Sequence, residues 1–185
     1  MTLTVITPPD ALPVPVSEMK DYLRIGHDGE DDRVSRLTSA ATERIEAQLG
    51  QALVLRTLKR RFSAWPVGIS GRGASLLPGP VSSLERVEIE SDDADPDDVT
   101  GRFRLTCGRM ALRPWSMAPP VPENGAATVQ FQAGYGLPEA VPDDLKLAVK
   151  LLIAESYSAR NGCPEGSSLP DSVASILDTH RRVRL

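Results

Sequence analysis

The stretch Thr128–Asn161, TVQFQAGYGLPEAVPDDLKLAVKLLIAESYSARN, holds the switch that decides the fold. Its first six residues alternate, with Val129, Phe131 and Ala133 on one face, which predicts a strand with one buried side. Gly134-Tyr-Gly-Leu-Pro138 breaks that run. Pro142-Asp143-Asp144 then opens a helix, because proline tolerates the first turn and carboxylates suit the positive end of the helix dipole. From Asp143 to Asn161 the helix carries Leu145, Leu147, Ala148, Val149, Leu151, Leu152, Ile153 and Ala154. That is apolar around most of its circumference, as a centrally buried helix requires. Asn161-Gly162 and Pro164 mark its end.

On the C-terminal side, Pro170 begins a last helix with Val173, Ile176 and Leu177 on one side. It runs into His180-Arg-Arg-Val-Arg-Leu185, cations suited to the negative end of a helix. Before the junction, short extended runs at Leu53–Phe62, Leu84–Glu90, Arg102–Thr106 and Met110–Arg113 are separated by turn-rich segments, notably Asp92–Asp98 and Pro114–Gly125. No helical period lies between them, so an antiparallel sheet is expected. Further back the helical period returns. Val34, Leu37, Ala41, Ile45 and Leu49 form a stripe after Asp31-Asp32 and before Gly50. A shorter helix from Ser17 to about Ile25 precedes it, and residues 1–15, with Pro8, Pro9, Pro13 and Pro15, are expected to run extended over a surface. The order predicts an α+β chain of one domain: a helical core from residues about 16–50 and 142–182, and a β-rich insertion at about 53–133.

Composition narrows the function classes. The 185 residues carry a net charge of −4, which argues against a whole-protein basic footprint for nucleic acid. No apolar run approaches the length that crosses a membrane, and the N-terminus lacks the features of a signal peptide. Cys107 and Cys163 match no metal or redox spacing, and two reduced thiols in a cytoplasmic product are expected.

Motifs that could carry chemistry lack their partners. Ser17-Glu-Met-Lys20 has the S-x-x-K spacing of serine acyl-enzymes without S-D-N or K-T-G, and reads as a helix start. Gly71-Arg-Gly73 lacks the rest of a phosphate loop and reads as a flexible loop. Counted from Asp93, the acidic run has Asp98 where a calcium loop needs glycine and Arg104 where it needs glutamate, so a solvated hairpin loop is expected. His27 and His180 have no ligand or triad spacing. Neither a catalytic residue, a cofactor nor a metal is expected, and the chain reads as a non-enzyme. Arg181, Arg182 and Arg184 fit either dipole compensation or a docking element.

Several stretches together resemble the head–tail connector (adaptor) family of tailed phages and phage-derived gene transfer agents. They are Pro15-Val-Ser-Glu-Met-Lys-Asp-Tyr-Leu-Arg24, the helix Asp31–Glu46 with its paired alanines, Leu77-Pro-Gly-Pro-Val81, Val129-Gln-Phe-Gln-Ala-Gly-Tyr135 followed by Val141-Pro-Asp-Asp-Leu145, Tyr157 with Arg160, and Leu169-Pro170 with Leu177 and Arg181. They occur in the family's order across nearly the whole chain. The resemblance implies a ring, typically dodecameric, under the portal protein in the neck of a virion assembled in the host cytoplasm. Such a ring extends the DNA channel, lets DNA pass without specific binding and offers its far face to a stopper or tail-terminator protein. It also implies that the C-terminal segment docks on the portal, with apolar contact from Val173, Ile176 and Leu177 and charge from Arg181, Arg182 and Arg184. The alternatives are another neck or tail component, a cytoplasmic nucleic-acid-binding module, or an enzyme assembled from scattered carboxylates.

Overall fold

The computed structural model describes residues 2–91, 94–158 and 169–181. The chain is α+β and divides into two compact units. One unit comprises residues 10–54 and 136–185, and the other residues 1–9 and 55–135.

The first unit holds the helices α1 (Val16–Leu23), α2 (Asp31–Leu49), α3 (Asp143–Ser158) and α4 (Asp171–His180). The stripe on α2 does what its period predicts: Val34, Ala41 and Ile45 are buried. Between them Thr38 and Thr42 are buried too, and their hydroxyls donate to the carbonyls of Val34 (2.8 Å) and Thr38 (2.7 Å), which satisfies the polar groups within the helix. Gly50 takes the left-handed conformation at the end of α2 (φ 63°), and its N–H donates to the Glu46 carbonyl. Helix α3 buries Leu145, Ala148, Val149, Leu152 and Ile153 against this core, while Leu147 remains exposed. Asn161, Gly162, Cys163 and Pro164 lie outside the described residues.

Among the described residues the second unit contains eight strands: β1 (Thr2–Thr7), β2 (Arg56–Phe62), β3 (Ala74–Ser75), β4 (Val81–Ser91), β5 (Ala94–Asp98), β6 (Phe103–Thr106), β7 (Arg109–Leu112) and β8 (Gly125–Ala133). They form a five-stranded sheet in the order β1-β2-β8-β4-β5 and a three-stranded sheet in the order β3-β7-β6, every pairing antiparallel. Strand β8 is central because both its neighbours need its apolar face: Phe131 lies opposite Leu58 of β2 and Leu84 of β4. Val129, Phe131 and Ala133 are fully buried, as the alternation predicts. Strands β6 and β7 are joined by Cys107-Gly108, both with positive φ (50° and 70°), the backbone that a two-residue hairpin turn demands.

Two local expectations change and one is sharpened. Residues 2–7 run extended and exposed as expected, and they also pair with β2 as the edge strand of the larger sheet, satisfying N–H and C=O groups on the free side of β2. The acidic run does not form a loop throughout: Ala94–Asp98 returns alongside β4, with Asp97 opposite Ile89 and Asp98 opposite Glu88. The glycine-rich segment at 68–73 is an anchored turn. Ile69 is buried, its carbonyl accepts from Leu112 N–H (3.0 Å), and the Gly73 carbonyl accepts from Arg109 Nε (3.1 Å).

Candidate assembly surfaces

The described residues contain no group of three or more His, Cys, Asp or Glu side chains placed to hold a metal. Lys20 of the S-x-x-K spacing is committed elsewhere, bonded to the Asp28 carboxylate and 2.7 Å from Asp31 Oδ1. Hydrogen bonds to Asp28 and Asp31 hold its pKa above the ordinary lysine value, and the same ammonium holds Asp28 below the usual carboxylate range. A lysine kept charged in this way is a strut between α1 and the start of α2, and a poor general base. Cys107 is free and exposed at the hairpin turn.

Other polar ties bind the helical unit to itself. Lys150 Nζ of α3 donates to Glu18 Oε1 of α1 at 2.6 Å. Tyr157 Oη donates to Glu30 Oε2 at 2.8 Å, and the Arg33 guanidinium lies 4.9 Å from the Tyr157 ring centroid. The bond to Glu30 holds the tyrosine in its neutral form, raising its pKa.

The residues predicted to dock on a portal are split by the fold. Val173 (0 % exposed) and Leu177 (3 %) face into the helical unit's own core, and Ile176 is only part-exposed. Helix α4 is further tied down at its end, where Gln51 Nε2 donates to the His180 carbonyl at 2.9 Å. Arg181 is exposed, with Asp178 Oδ1 3.6 Å away, and Arg182 and Arg184 lie outside the described residues. Most of the apolar side of α4 therefore packs within the helical unit, and of the predicted docking residues Ile176 and Arg181 are the described ones with outward surface.

Sequence reading missed a different surface. Val67 (100 % exposed), Trp115 (104 %) and Met117 (82 %) stand out from two loops of the β unit. Those loops are joined by Trp65 Nε1 donating to the Pro119 carbonyl at 2.7 Å and by the Leu112–Ile69 bond. The one available signal was a tryptophan and a methionine inside a proline-rich run that is otherwise small or polar.

A family model described as "Head completion protein" matches residues 14–183. Three solved structures are similar along the whole chain, each covering 100 % of it and 97 % of the matched chain. They are a chain in the neck of an empty gene transfer agent particle computed with C6 symmetry (29 % identity, TM-score 0.83), one in the virion of a native gene transfer agent particle (28 %, 0.81), and one in the neck of a native particle computed with C12 symmetry (28 %, 0.80). A comparison with curated proteins finds no match.

Proposed function

We propose that the chain, which belongs to the head completion protein family and serves as a structural head–tail connector adaptor at the neck of a virion or virion-like particle, works as a ring subunit beneath the portal protein. The observation that carries this reading is full-length likeness, at 29 % identity and a TM-score of 0.83, to a chain in a gene transfer agent neck. Copies of the chain form an oligomeric ring in the neck, and the C12 symmetry of one similar neck supports twelve. A ring follows physically when one patch meets a different patch on the next copy and the rotation closes.

The role is structural, and the proposed work includes no catalysed reaction. The ring extends the DNA channel, and its far face receives a stopper or tail-terminator protein. A net charge of −4 suits a conduit, because each phosphate neutralised would add affinity and hinder sliding. The two compact units act together as one adaptor subunit. The C-terminal end reaches the portal through Arg181, Arg182 and Arg184, with Ile176 contributing apolar contact, while Val173 and Leu177 keep α4 seated on its own core.

Removing residues 181–185 tests the docking. It spares the His180 carbonyl that Gln51 holds. The shortened chain should fold and melt as the full chain does, while heads fail to acquire tails. Normal connectors built from the shortened chain would return the terminal arginines to dipole compensation alone.

A further inference from the structure

Charge is sorted along the sequence of the β unit. Residues 62–84 and 99–122 contain Arg72, Arg102, Arg104, Arg109 and Arg113 and no Lys, Asp or Glu. Residues 85–98, between them in sequence, contain eight carboxylates and one arginine. With a total of −4, the acid-free segments at +5 leave −9 for the rest of the chain. Yet among the described residues none of these five arginines forms an ion pair with the acidic segment that adjoins them in sequence. Glu88, Glu90 and Asp98 are taken by Arg86, Lys59 and Arg61, whereas Asp95 and Asp97 stand exposed on the outer strand β5.

Three of these arginines, Arg102, Arg104 and Arg113, lie on or next to the strands that lead into the loop carrying Trp115 and Met117. Arg113 N–H donates to the Arg102 carbonyl (2.8 Å), and its Nε donates to the Phe103 carbonyl (3.0 Å), so both residues sit at the open end of the β6–β7 hairpin. Arg104 projects from the exposed face of β6 beside them. Arg113-Pro114-Trp115-Ser116 is a turn closed by Ser116 N–H on the Arg113 carbonyl, with Trp115 at φ 65°. Such a turn normally places glycine or asparagine at that position. A bulky residue held in left-handed backbone and pointed into water is strain without an internal return, which points to use outside the subunit.

We propose that this surface, Arg102, Arg104 and Arg113 around Val67, Trp115 and Met117, receives the acidic outer strand β5 of the next copy in the ring. This rests on the ring reading above. Three observations select a second copy. A head-to-tail ring needs two different, complementary patches on one chain, and the cationic patch and β5 are such a pair. The patch is rich in Trp, Met and Arg and free of Lys, Asp and Glu, which is the composition of a protein interface core. Finally, β5 contains Pro96 and a register shift against β4, which bar continuous strand addition and leave its carboxylates as the contact.

The test is charge inversion in full-length chains made in a producing cell that lacks the natural copy. Asp95→Arg/Asp97→Arg alone and Arg102→Glu/Arg104→Glu alone should each lower the yield of tailed particles by about tenfold or more, since like charges would meet at every ring contact. The two variants produced together, or both inversions in one chain, should restore the yield to within about twofold, because every contact again joins opposite charges. Melting curves matching the wild type exclude misfolding as the cause. Normal yields from both single-patch variants, or no restoration in the mixture, would overturn the contact. So would an Arg102→Glu/Arg104→Glu chain that assembles normally but loses retention of a duplex DNA probe in a gel, which would assign the patch to DNA. Absence of the wild-type chain from particle necks would instead remove the ring reading itself.

Discussion

The helical unit and the acid-free segments of the β unit treat their charges differently. In the first, Lys20 is held by Asp28 and Asp31, Lys150 by Glu18 and Tyr157 by Glu30, so long side chains are spent on joining helices. In the second, five arginines in the acid-free segments have no carboxylate partner among the described residues, and the most exposed apolar side chains stand beside some of them. That part of the β unit turns its arginines and its apolar side chains outward, as a ring subunit should.

That contrast can be broken most severely through the core. Phe131 lies on the central strand of the β unit, fully buried between β2 and β4. Phe131→Ala should cost about 3–5 kcal/mol in denaturant unfolding through lost burial and the cavity left behind. A loss under about 1 kcal/mol would mean that the sheet is not the packed element described here.

The next effect falls on the helical unit. Lys20→Met removes the cation from Asp28 and from a buried Asp31 oxygen that has no other partner, so the melting temperature should fall. The tie is also pH-dependent. Asp28 titrates below its ordinary 3.8 when folded, so its contribution is full above that value and is lost as pH falls through the lower, folded one. Lys20 titrates above 10.5 when folded, so its contribution is full below that value and is lost as pH rises through the higher one. Thermal melts of wild type and Lys20→Met should therefore converge in strong acid and strong alkali, and differ most near neutrality.

The smallest stability effect belongs to the outward surface. Trp115→Gly should leave stability unchanged or raise it by up to about 1 kcal/mol, because glycine carries no penalty at φ 65°. Particle assembly should nevertheless fall. A destabilised but assembly-competent Trp115→Gly chain would show that the tryptophan serves the fold.

What sequence could foresee follows from what is periodic. The stripe on α2, the apolar wrap of α3 and the alternation on β8 are repeats of buried residues, so the α+β class and the positions of the helices were legible. The edge strand β1 was not, because Pro8 and Pro9 mark an extended chain without saying what it pairs with. Strand β5 was hidden by its carboxylates, which disfavour a strand until β4 supplies a ladder. The outward surface was invisible for a different reason. Exposure of Val67, Trp115 and Met117 depends on two loops being tied together by Trp65–Pro119 and Leu112–Ile69, contacts that no local pattern encodes. For α4, Val173, Ile176 and Leu177 form an apolar side, but period alone cannot tell a helix seated on its own core from one awaiting a partner.

The most direct measurement is electron cryomicroscopy of particles produced with and without this chain. With it, density between head and tail should contain a closed ring into which the two units fit. Without it, heads should accumulate untailed, with that layer missing. Tailed particles of normal number with an unchanged neck in the absence of the chain would contradict the account.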